Sequence, residues 1–466
     1  LKTVSVSYTE ANGTFVPGYL PHTTVLGMEQ SGDVFAPGAA FVAGWQDRNY
    51  LDKAHKNGWL TTDTLLNSAF LLNNTQTLNV RANIEPVNGM RIDVTANRTF
   101  GTNVTEYYRY DPVTGDFYRH SQMITGSFSM TYGTWRTAFE KLTSPNYDSE
   151  VFEQFKNYRI TIAQRQAAQR FNSRGADDYG YTMAVDPTTG FPDGYSPTSQ
   201  EVLIPAFLAA YSGKNPSNVS LDYFPGITSM MPNWTLTYDG LIRINAVKKI
   251  FRSLTVSHAY RSSYSVNSYT TSVEFKDVYD DGFGWVRYTL GNFIPQHEIA
   301  QVSISEQFSP LFNFDGTLNN SFIMKFELKK TRNLSFSLSN NQLTEMRGNE
   351  MIFGTGYRFK DVKFIISSGS SGGREFKSDL NARADISIRD DYTIIRKVEQ
   401  TTTGGYNMIT SGTKMITLKI SADYVLSNRF NLRLFCDRIV RKPKVSNLFE
   451  TYNTNIGISV RFTLTQ

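Results

Sequence analysis

Apolar and polar residues alternate along much of this chain, and this alternation restricts its fold more strongly than any other feature. Apolar side chains occupy every second position in residues 380–388, 416–424 and 456–464, with polar residues or glycine between them. Alternate residues of a β-strand share one face, so each segment predicts a strand with one apolar and one polar face. Shorter segments of this kind are residues 78–84, 91–97, 127–132, 234–238, 254–260, 322–329, 334–339 and 430–437. Together they predict an all-β fold of roughly fourteen to sixteen strands.

The length of these strands and the rings at their ends favour a transmembrane antiparallel β-barrel. Several segments run about 9–12 residues, whereas an ordinary strand has about 5–6 and a strand crossing a bilayer needs about 9–11. Aromatic residues make up 14% of the chain and often stand where an apolar stripe begins or ends, as Tyr357, Tyr424 and Phe462 do. Rings at such positions suit the boundary between water and lipid. In the alternative, a large soluble β-protein, the same rings would fill a core.

The polar faces of the predicted strands carry both signs of charge. In a barrel this face lines the lumen, where water and opposite charges satisfy it. In a sandwich it faces bulk solvent, and periodicity does not separate the two cases. For the barrel we predict these lumen-lining residues: Arg81, Arg91, Arg383, Asp385, Lys419, Asp423, Arg433, Asp437 and Arg461.

Composition and motifs exclude several other classes of protein. No run approaches the roughly 18 apolar residues of a membrane-spanning helix, and the single Cys436 excludes a disulfide framework. A net charge of +5 is too small and dispersed to indicate nucleic-acid binding. The histidines lack zinc-site spacing, and no histidine follows the G-x-S-x-G match at residues 369–373. We therefore expect no catalytic residue, no cofactor, no metal site and no enzyme activity.

A long stretch of the chain interrupts the alternation. Residues 144–232 lack the period of two, and residues 149–170 place apolar side chains at helical spacing. A second helix is predicted from a capping box at residues 198–201 to a stop near Gly213. Pro205 predicts a kink or a later start in this helix. We interpret the region as a partly helical loop insertion between strands. The chain is then divided into irregular loops with a first strand (1–77), barrel strands (78–143), the insertion (144–232) and barrel strands to the C-terminus (233–466).

The second predicted helix has an apolar face that needs cover. This face includes Leu203, Phe207, Leu208 and Tyr211. The cover would come from the barrel wall, from the other helix or from a partner protein. We predict that the face packs against a rim of the pore, where it helps to shape the opening or to dock a partner. The alternative is that the insertion only braces the wall of an oversized barrel.

Particular strings of residues extend this interpretation. Two of them are QEVLIPAFLAAYSGK at residues 200–214 and PNWTLTYDGL at residues 232–241. Others lie at residues 17–21, 57–61, 292–296, 303–311, 333–345, 356–364 and 453–464. These strings resemble the SprA/Sov family, the very large outer-membrane proteins of gliding motility and type IX secretion in Bacteroidota. The resemblance spans essentially the whole chain.

The resemblance implies that the chain is the C-terminal portion of an exceptionally large single-chain barrel in the outer membrane. Such a translocon passes folded cargo proteins to the cell surface. The implied partners are the rest of the same chain, a PorV-like barrel partner at a lateral opening, a plug protein, the secreted cargo and outer-membrane lipid, without nucleic acid. Both edges of the fragment would pair with strands outside it. One departure is that the sequence ends in Thr465 and Gln466, whereas many outer-membrane barrels end in an aromatic residue, so the terminal assembly signal stays open.

Two other functions remain compatible with the residues alone. One is a surface-exposed, β-rich adhesin that binds glycans through tyrosine and tryptophan, and that would stay monodisperse without detergent. The other is the barrel of a TonB-dependent nutrient receptor, which predicts an N-terminal plug domain and uptake of small molecules.

Overall fold

The computed structural model describes residues 2–143, 147–174, 181–277, 282–368, 371–399, 408–427, 430–445 and 448–462, and most of them lie in β-strands. Sixteen strands are described, with these bounds: β1 Thr3–Phe15, β2 Glu29–Ser31, β3 Val34–Ala36, β4 Phe70–Ile84, β5 Met90–Asp111, β6 Asp116–Thr131, β7 Asn233–Tyr238, β8 Phe251–Thr271, β9 His297–Ile299, β10 Gln301–Leu318, β11 Phe322–Ser337, β12 Gln342–Ser368, β13 Ser371–Lys397, β14 Met408–Ser427, β15 Phe430–Pro443 and β16 Thr451–Phe462. The first long strand after β1 therefore begins at Phe70 and not at residue 78.

One antiparallel sheet contains all but two of these strands. Its order is β1-β4-β5-β6-β8-β10-β11-β12-β13-β14-β15-β16, with β7 between β5 and β8 and with β9 paired to β8. The strands β2 and β3 form a separate hairpin. Within the described residues, β1 and β16 each have one neighbour, so they are the two edges of the sheet. The predicted all-β, antiparallel fold class is confirmed.

The helices are few and mostly short. They are α1 Ala39–Val42, α2 Tyr50–Lys56, α3 Glu150–Arg174, α4 Gln200–Ser212 and α5 Asn245–Lys248, with 3-10 turns at Val25–Gly27, Ile227–Ser229 and Gly240–Arg243. Among the described residues, none of these helices combines the length and the apolar character needed to cross a membrane.

The strand register divides the sheet into an apolar face and a polar face. Directly paired residues on five successive strands form one apolar row: Phe314, Phe326, Phe353, Ile386 and Leu418. Because side chains alternate along a strand, the residues two positions away extend this row into one continuous face. We call it the apolar face.

Part of the apolar face is uncovered. Large apolar side chains are exposed there: Met351, Phe353, Phe359, Ile386, Ile420, Leu434, Ile458 and Val460. On β13 this part runs from Leu380 to Ile388, which corresponds to about 26 Å along the strand. Outer-membrane barrels carry an apolar band about 25 Å tall. We call this part the apolar band.

One position in the strand order, between β5 and β8, is occupied by two separate strands, β6 and β7. We call each position in the strand order a track. Strand β6 runs between β5 and β8 as far as Thr131, which pairs with Ser263. Strand β7 continues along the same track from Asn233, which pairs with Thr95. The predicted insertion therefore lies between β6 and β7, two strands that share one position in the sheet, so the chain leaves the sheet partway along this position and returns to complete it. The departure begins at Tyr132, ahead of the predicted residue 144.

Candidate functional site

The departing segment and its two helices cover one end of the apolar face. Helix α4 and helix α3 pack there on buried side chains of five strands, namely Phe128, Met130, Tyr264, Val266, Val302, Ile304, Leu334, Phe336 and Leu343. Three rings meet at the centre of this contact. The centroid of Phe207 lies 6.2 Å from that of Phe155 on α3 and 5.5 Å from that of Phe336 on β11.

The four residues predicted to meet a rim or a partner are buried inside the chain. The exposed fractions of Leu203, Phe207, Leu208 and Tyr211 are 0%, 0%, 3% and 0%. The sheet and α3 supply their cover, so the prediction that they dock a partner is corrected. Their position on the apolar face also places the insertion outside the face that carries the predicted lumen residues.

Local chemistry explains why α3 and α4 begin and end where they do. The Ser149 hydroxyl accepts a hydrogen bond from the Phe152 amide at 3.1 Å, which caps α3. Helix α4 ends at Gly213 in the left-handed conformation, as predicted. Its N-cap is Ser199, without a side-chain cap, so the predicted capping box is wrong.

Pro205 lies inside α4 without delaying its start. A proline has no amide hydrogen, so the carbonyl four residues earlier, that of Glu201, lacks its helical donor. Gln166 on α3 donates its side-chain amide to that carbonyl at 3.1 Å. The neighbouring helix therefore satisfies the group that the proline leaves free, and the predicted later start is wrong.

Beneath α4 lies a cluster of buried charges that we call the ionic anchor. Its members are Glu140, Glu306, Arg332, Glu345, Arg347 and Arg396. Glu140 belongs to the departing segment and the other five belong to β10, β11, β12 and β13. Three arginines meet three glutamates, so the charges balance.

One half of the ionic anchor joins the sheet to the start of the insertion. Arg332 lies 2.9 Å from Glu306, and both side chains are 1% exposed. Arg332 also donates to the Thr137 carbonyl at 2.9 Å. The Thr134 hydroxyl donates to Glu306 at 2.6 Å. These bonds fix the chain where it leaves the strand track, because buried charges persist only when paired and hydrogen-bonded.

The other half holds β12, β13 and the segment before α3 together. Glu345 receives Arg347 at 2.6 Å and Arg396 at 3.0 Å. Arg347 also lies 2.9 Å from Glu140. The second carboxylate oxygen of Glu140 accepts hydrogen bonds from the Ser149 hydroxyl and the Val151 amide at the start of α3. The ionic anchor therefore connects the sheet to the first turn of α3.

Charged residues at apolar positions of the alternation indicate this cluster, although they were not among the predicted site residues. On β10, Glu306 stands between Ile304 and Phe308 at the alternate positions whose side chains lie on the apolar face. On β11, Arg332 shares the same face with Leu334. A charged side chain on the apolar face of a strand lowers the stability of the fold unless it has a partner of opposite charge. Such positions therefore mark contacts with another part of the fold.

The nine predicted lumen residues share the polar face. Opposite charges on it are direct neighbours across strands: Asp385 pairs with Lys419, and Lys419 pairs with Asp437. Asp423 and Arg433 are paired likewise, with 3.7 Å between their charged groups. The register places the remaining four, Arg81, Arg91, Arg383 and Arg461, on this same face.

A cavity of about 1000 Å³ with a mixed polar and apolar lining lies at the N-terminus of α4. Its lining includes Asn103, Ser127, Gln200, Glu201 and Glu298. The Gln200 side chain bonds to the backbone of β9, donating to the His297 carbonyl at 2.7 Å and accepting from the Ile299 amide at 2.8 Å. Among the described residues no group of three or more potential metal ligands occurs, and the cavity lining offers hydroxyl, amide and carboxylate groups.

Glu201 makes the stability of the insertion depend on pH. Desolvation raises the pKa of this carboxyl from 4.5 to about 7, against the opposing effect of Arg170. Because the pKa is raised in the folded state, the stability is complete below pH 4.5 and falls as the pH rises to about 7. We expect Glu201→Gln to raise the free energy of unfolding by about 2 kcal/mol at pH 8 and to leave it unchanged at pH 4.

Thermal unfolding at the two pH values measures this difference. The matched control is Glu153→Gln on α3, whose side chain is 59% exposed and which should change stability by less than about 0.5 kcal/mol at either pH. Equal stabilisation by Glu201→Gln at pH 4 and pH 8 would contradict the prediction.

Comparison with known proteins shows distant likenesses only. No family model matches the chain, and no curated protein matches it. Among solved structures, the chain is similar to the in-vitro folded trimer of OmpT, an outer membrane protein of Vibrio cholerae, at 10% identity over 83% of this chain and 91% of that one, with a TM-score of 0.21. It is also similar to the RagAB peptide transporter, at 9% identity over 80% of this chain and 37% of that one, with a TM-score of 0.25. At these TM-scores the likenesses assign neither a location nor a function to the chain.

Proposed function

We propose that this chain is the C-terminal part of the wall of an outer-membrane, protein-conducting translocon of the type IX secretion system. It would belong with the SprA/Sov family, whose strings its sequence resembles. Folded cargo proteins would cross the outer membrane through the pore that this wall helps to enclose.

The observation that supports this proposal most directly is that the two edge strands of the sheet, β1 and β16, each have only one neighbour among the described residues. Side chains along β1 and β16 are almost all exposed, and neither strand has a second neighbour among the described residues. Backbone groups at the level of the lipid must be paired, so each edge needs a strand beside it. In the proposed translocon these strands come from the rest of the same chain. The diameter of a barrel grows with its number of strands, and about 16–18 strands already enclose an aqueous channel. A wall with more than these twelve tracks supports a wide lumen.

The polar face suits a wall along which proteins pass. Charged side chains keep this surface wet. Five of the nine predicted lumen residues have an opposite charge directly across the strands, whereas the four arginines Arg81, Arg91, Arg383 and Arg461 face neutral residues. Passage requires width, wetted walls and a gate, so the proposal includes no catalytic residue and no cofactor.

Deletion of the gene tests the proposed function directly. We expect cargo proteins to disappear from the cell surface and to accumulate in the periplasm, because no other pore of this width would replace the missing one. Quantitative immunoblotting of the surface and periplasmic fractions measures the change. A copy of the gene supplied in trans should restore the surface fraction.

The alternatives predict different results from the same cells. A nutrient receptor would leave cargo at the surface while uptake of a small molecule declined. An adhesin would leave both unchanged while glycan binding was lost. Companion chains recovered with the full-length protein should include a smaller barrel and a plug protein, and their absence would count against the proposed assembly.

A further inference from the structure

The apolar band ends in a row of lysines on the side of the insertion. Lys330 stands two residues beyond Leu328 on β11, Lys414 two residues before Ile416 on β14, and Lys442 two residues beyond Val440 on β15. Lys444 follows β15, and its charged group lies 2.5 Å from Asp390. We call Lys330, Lys414, Lys442 and Lys444 the lysine belt. It lies on the apolar face between the apolar band and the ionic anchor.

Two lysines of the belt face each other across neighbouring strands. Lys414 and Lys442 are direct partners in the register of β14 and β15. Like charges directly opposite each other destabilise a sheet. Glu450 lies 3.3 Å from Lys442. Asp390 is the direct partner of Lys414 in the register of β13 and β14, but its carboxylate binds Lys444, and no carboxylate among the described residues lies within 4 Å of Lys414. Four lysines share two carboxylates, so the belt keeps an excess of two positive charges.

The ionic anchor shows how this chain resolves the same conflict elsewhere. Arg332 and Arg347 are also direct cross-strand partners on the apolar face. Each has its own carboxylate, since Glu306 lies 2.9 Å from Arg332 and Glu345 lies 2.6 Å from Arg347. Lys442 has Glu450, whereas Asp390, which faces Lys414 across the strands, is bound to Lys444. One lysine of the pair therefore has no carboxylate of its own, and an anion from outside the described residues would complete the arrangement.

The position of the belt identifies the kind of anion. Aromatic rings of the insertion lie at the same level: Phe139 is 52% exposed, with Lys330 4.6 Å from its ring centre, and Trp135 is 42% exposed. Exposed rings and lysines that adjoin an apolar band are typical of the membrane interface. There a lysine lays its apolar stem on the band and extends its charge to the headgroups.

The lengths of the connections indicate which side of the membrane this is. On the insertion side, the long connections between strands are residues 16–69, 132–232 and 272–296, with short ones at residues 112–115 and 338–341. On the opposite side the connections include residues 85–89, 239–250 and 319–321, and the longest of these has about twelve residues. Outer-membrane barrels have short periplasmic turns and long extracellular loops. The belt therefore belongs to the outer leaflet.

We propose that the lysine belt binds the phosphorylated headgroup of a lipid in the outer leaflet, with the phosphate between Lys414 and Lys442. Lysine is a strong partner for phosphate as a point charge. The bound phosphate removes the repulsion between the two lysines and fixes the depth of the wall at the level of the insertion. This inference rests on the outer-membrane placement in the proposed function, but it is independent of cargo transport.

The test uses the full-length protein in nanodiscs of phosphatidylcholine with or without lipid A. Lipid A should raise the unfolding temperature of the unsubstituted protein by about 5 °C. The double variant Lys414→Gln, Lys442→Gln should lose most of this rise. The matched control Lys419→Gln removes a lysine from the polar face of β14 and should keep the full rise. Secretion is measured in parallel, so a failure of cargo transport in the unsubstituted protein would overturn the proposed function alone.

Four results would overturn the inference. An equal rise in the double variant would show that the belt does not bind the phosphate. An equal rise with dephosphorylated lipid A would exclude the charge as the cause, and an equal rise with inorganic phosphate in solution would assign the belt to a free anion. Loss of a companion chain from the double variant, with the lipid response intact, would assign the belt to a protein interface instead.

Discussion

Replacing Glu345 with alanine is expected to lower the free energy of unfolding by about 3–5 kcal/mol. The side chain is 0% exposed and is the shared carboxylate of Arg347 and Arg396, which are 5% and 0% exposed. Its removal leaves two buried cations with too little negative charge, and the desolvation cost of burying them is no longer offset. The insertion should lose its connection to the sheet. Thermal unfolding in detergent and limited proteolysis of the insertion measure the two effects.

An exposed ion pair in the same sheet provides the control. Arg358 and Asp379 are in contact, with side chains 55% and 29% exposed. Asp379→Ala should cost less than about 1 kcal/mol. If the two variants lost the same stability, the ionic anchor would have no special role in holding the insertion.

Replacing Phe207 with aspartate should have a still larger effect on the insertion. Phe207 is 0% exposed and its ring touches those of Phe155 and Phe336. The substitution removes a large apolar side chain and buries an unpaired charge, so we expect a loss of at least about 4 kcal/mol and detachment of α4 from the sheet. Protease sensitivity of residues 132–232 in the assembled protein measures the detachment.

The same variant separates the two roles considered for the insertion. Phe207→Leu, which keeps most of the apolar volume, should cost less than about 1.5 kcal/mol and serves as control. Reduced secretion with Phe207→Asp, while the barrel still assembles, would show that the insertion takes part in transport. Unchanged secretion and unchanged recovery of companion chains would show that it only braces the wall.

The alternation of apolar and polar residues was sufficient to predict the sheet. It depends only on the period of two, which the sequence displays directly, and residues 380–388, 416–424 and 456–464 all lie within long strands. The same alternation places Arg383 and Lys419 on one face, because two paired strands in register keep their phases. The helix end at Gly213 was likewise local, since only the left-handed conformation of one residue was at issue.

Features that depend on distant residues were not predictable in this way. Nothing near Pro205 indicates that Gln166 would satisfy the carbonyl of Glu201. Nothing near Glu140 in the sequence indicates that Arg347 would be its partner, more than two hundred residues away along the chain. Both contacts arise because the helices of the insertion fold back on the sheet, and the strand pattern contains no information about the direction of that fold.

The divided track formed by β6 and β7 has a consequence for the origin of the insertion. Thr131 and Asn233 lie two positions apart on the same line, with one empty position between them, since Thr131 donates its hydroxyl to the Asn97 carbonyl and Asn233 pairs with Thr95. The empty position between Thr131 and Asn233 lies opposite Ala96 on β5 and Ser262 on β8. A single linking residue would therefore restore an unbroken strand in register. Residues 132–232 are therefore an addition to a continuous strand, and their removal would keep the strand order while exposing the ionic anchor and the apolar side chains that α3 and α4 cover.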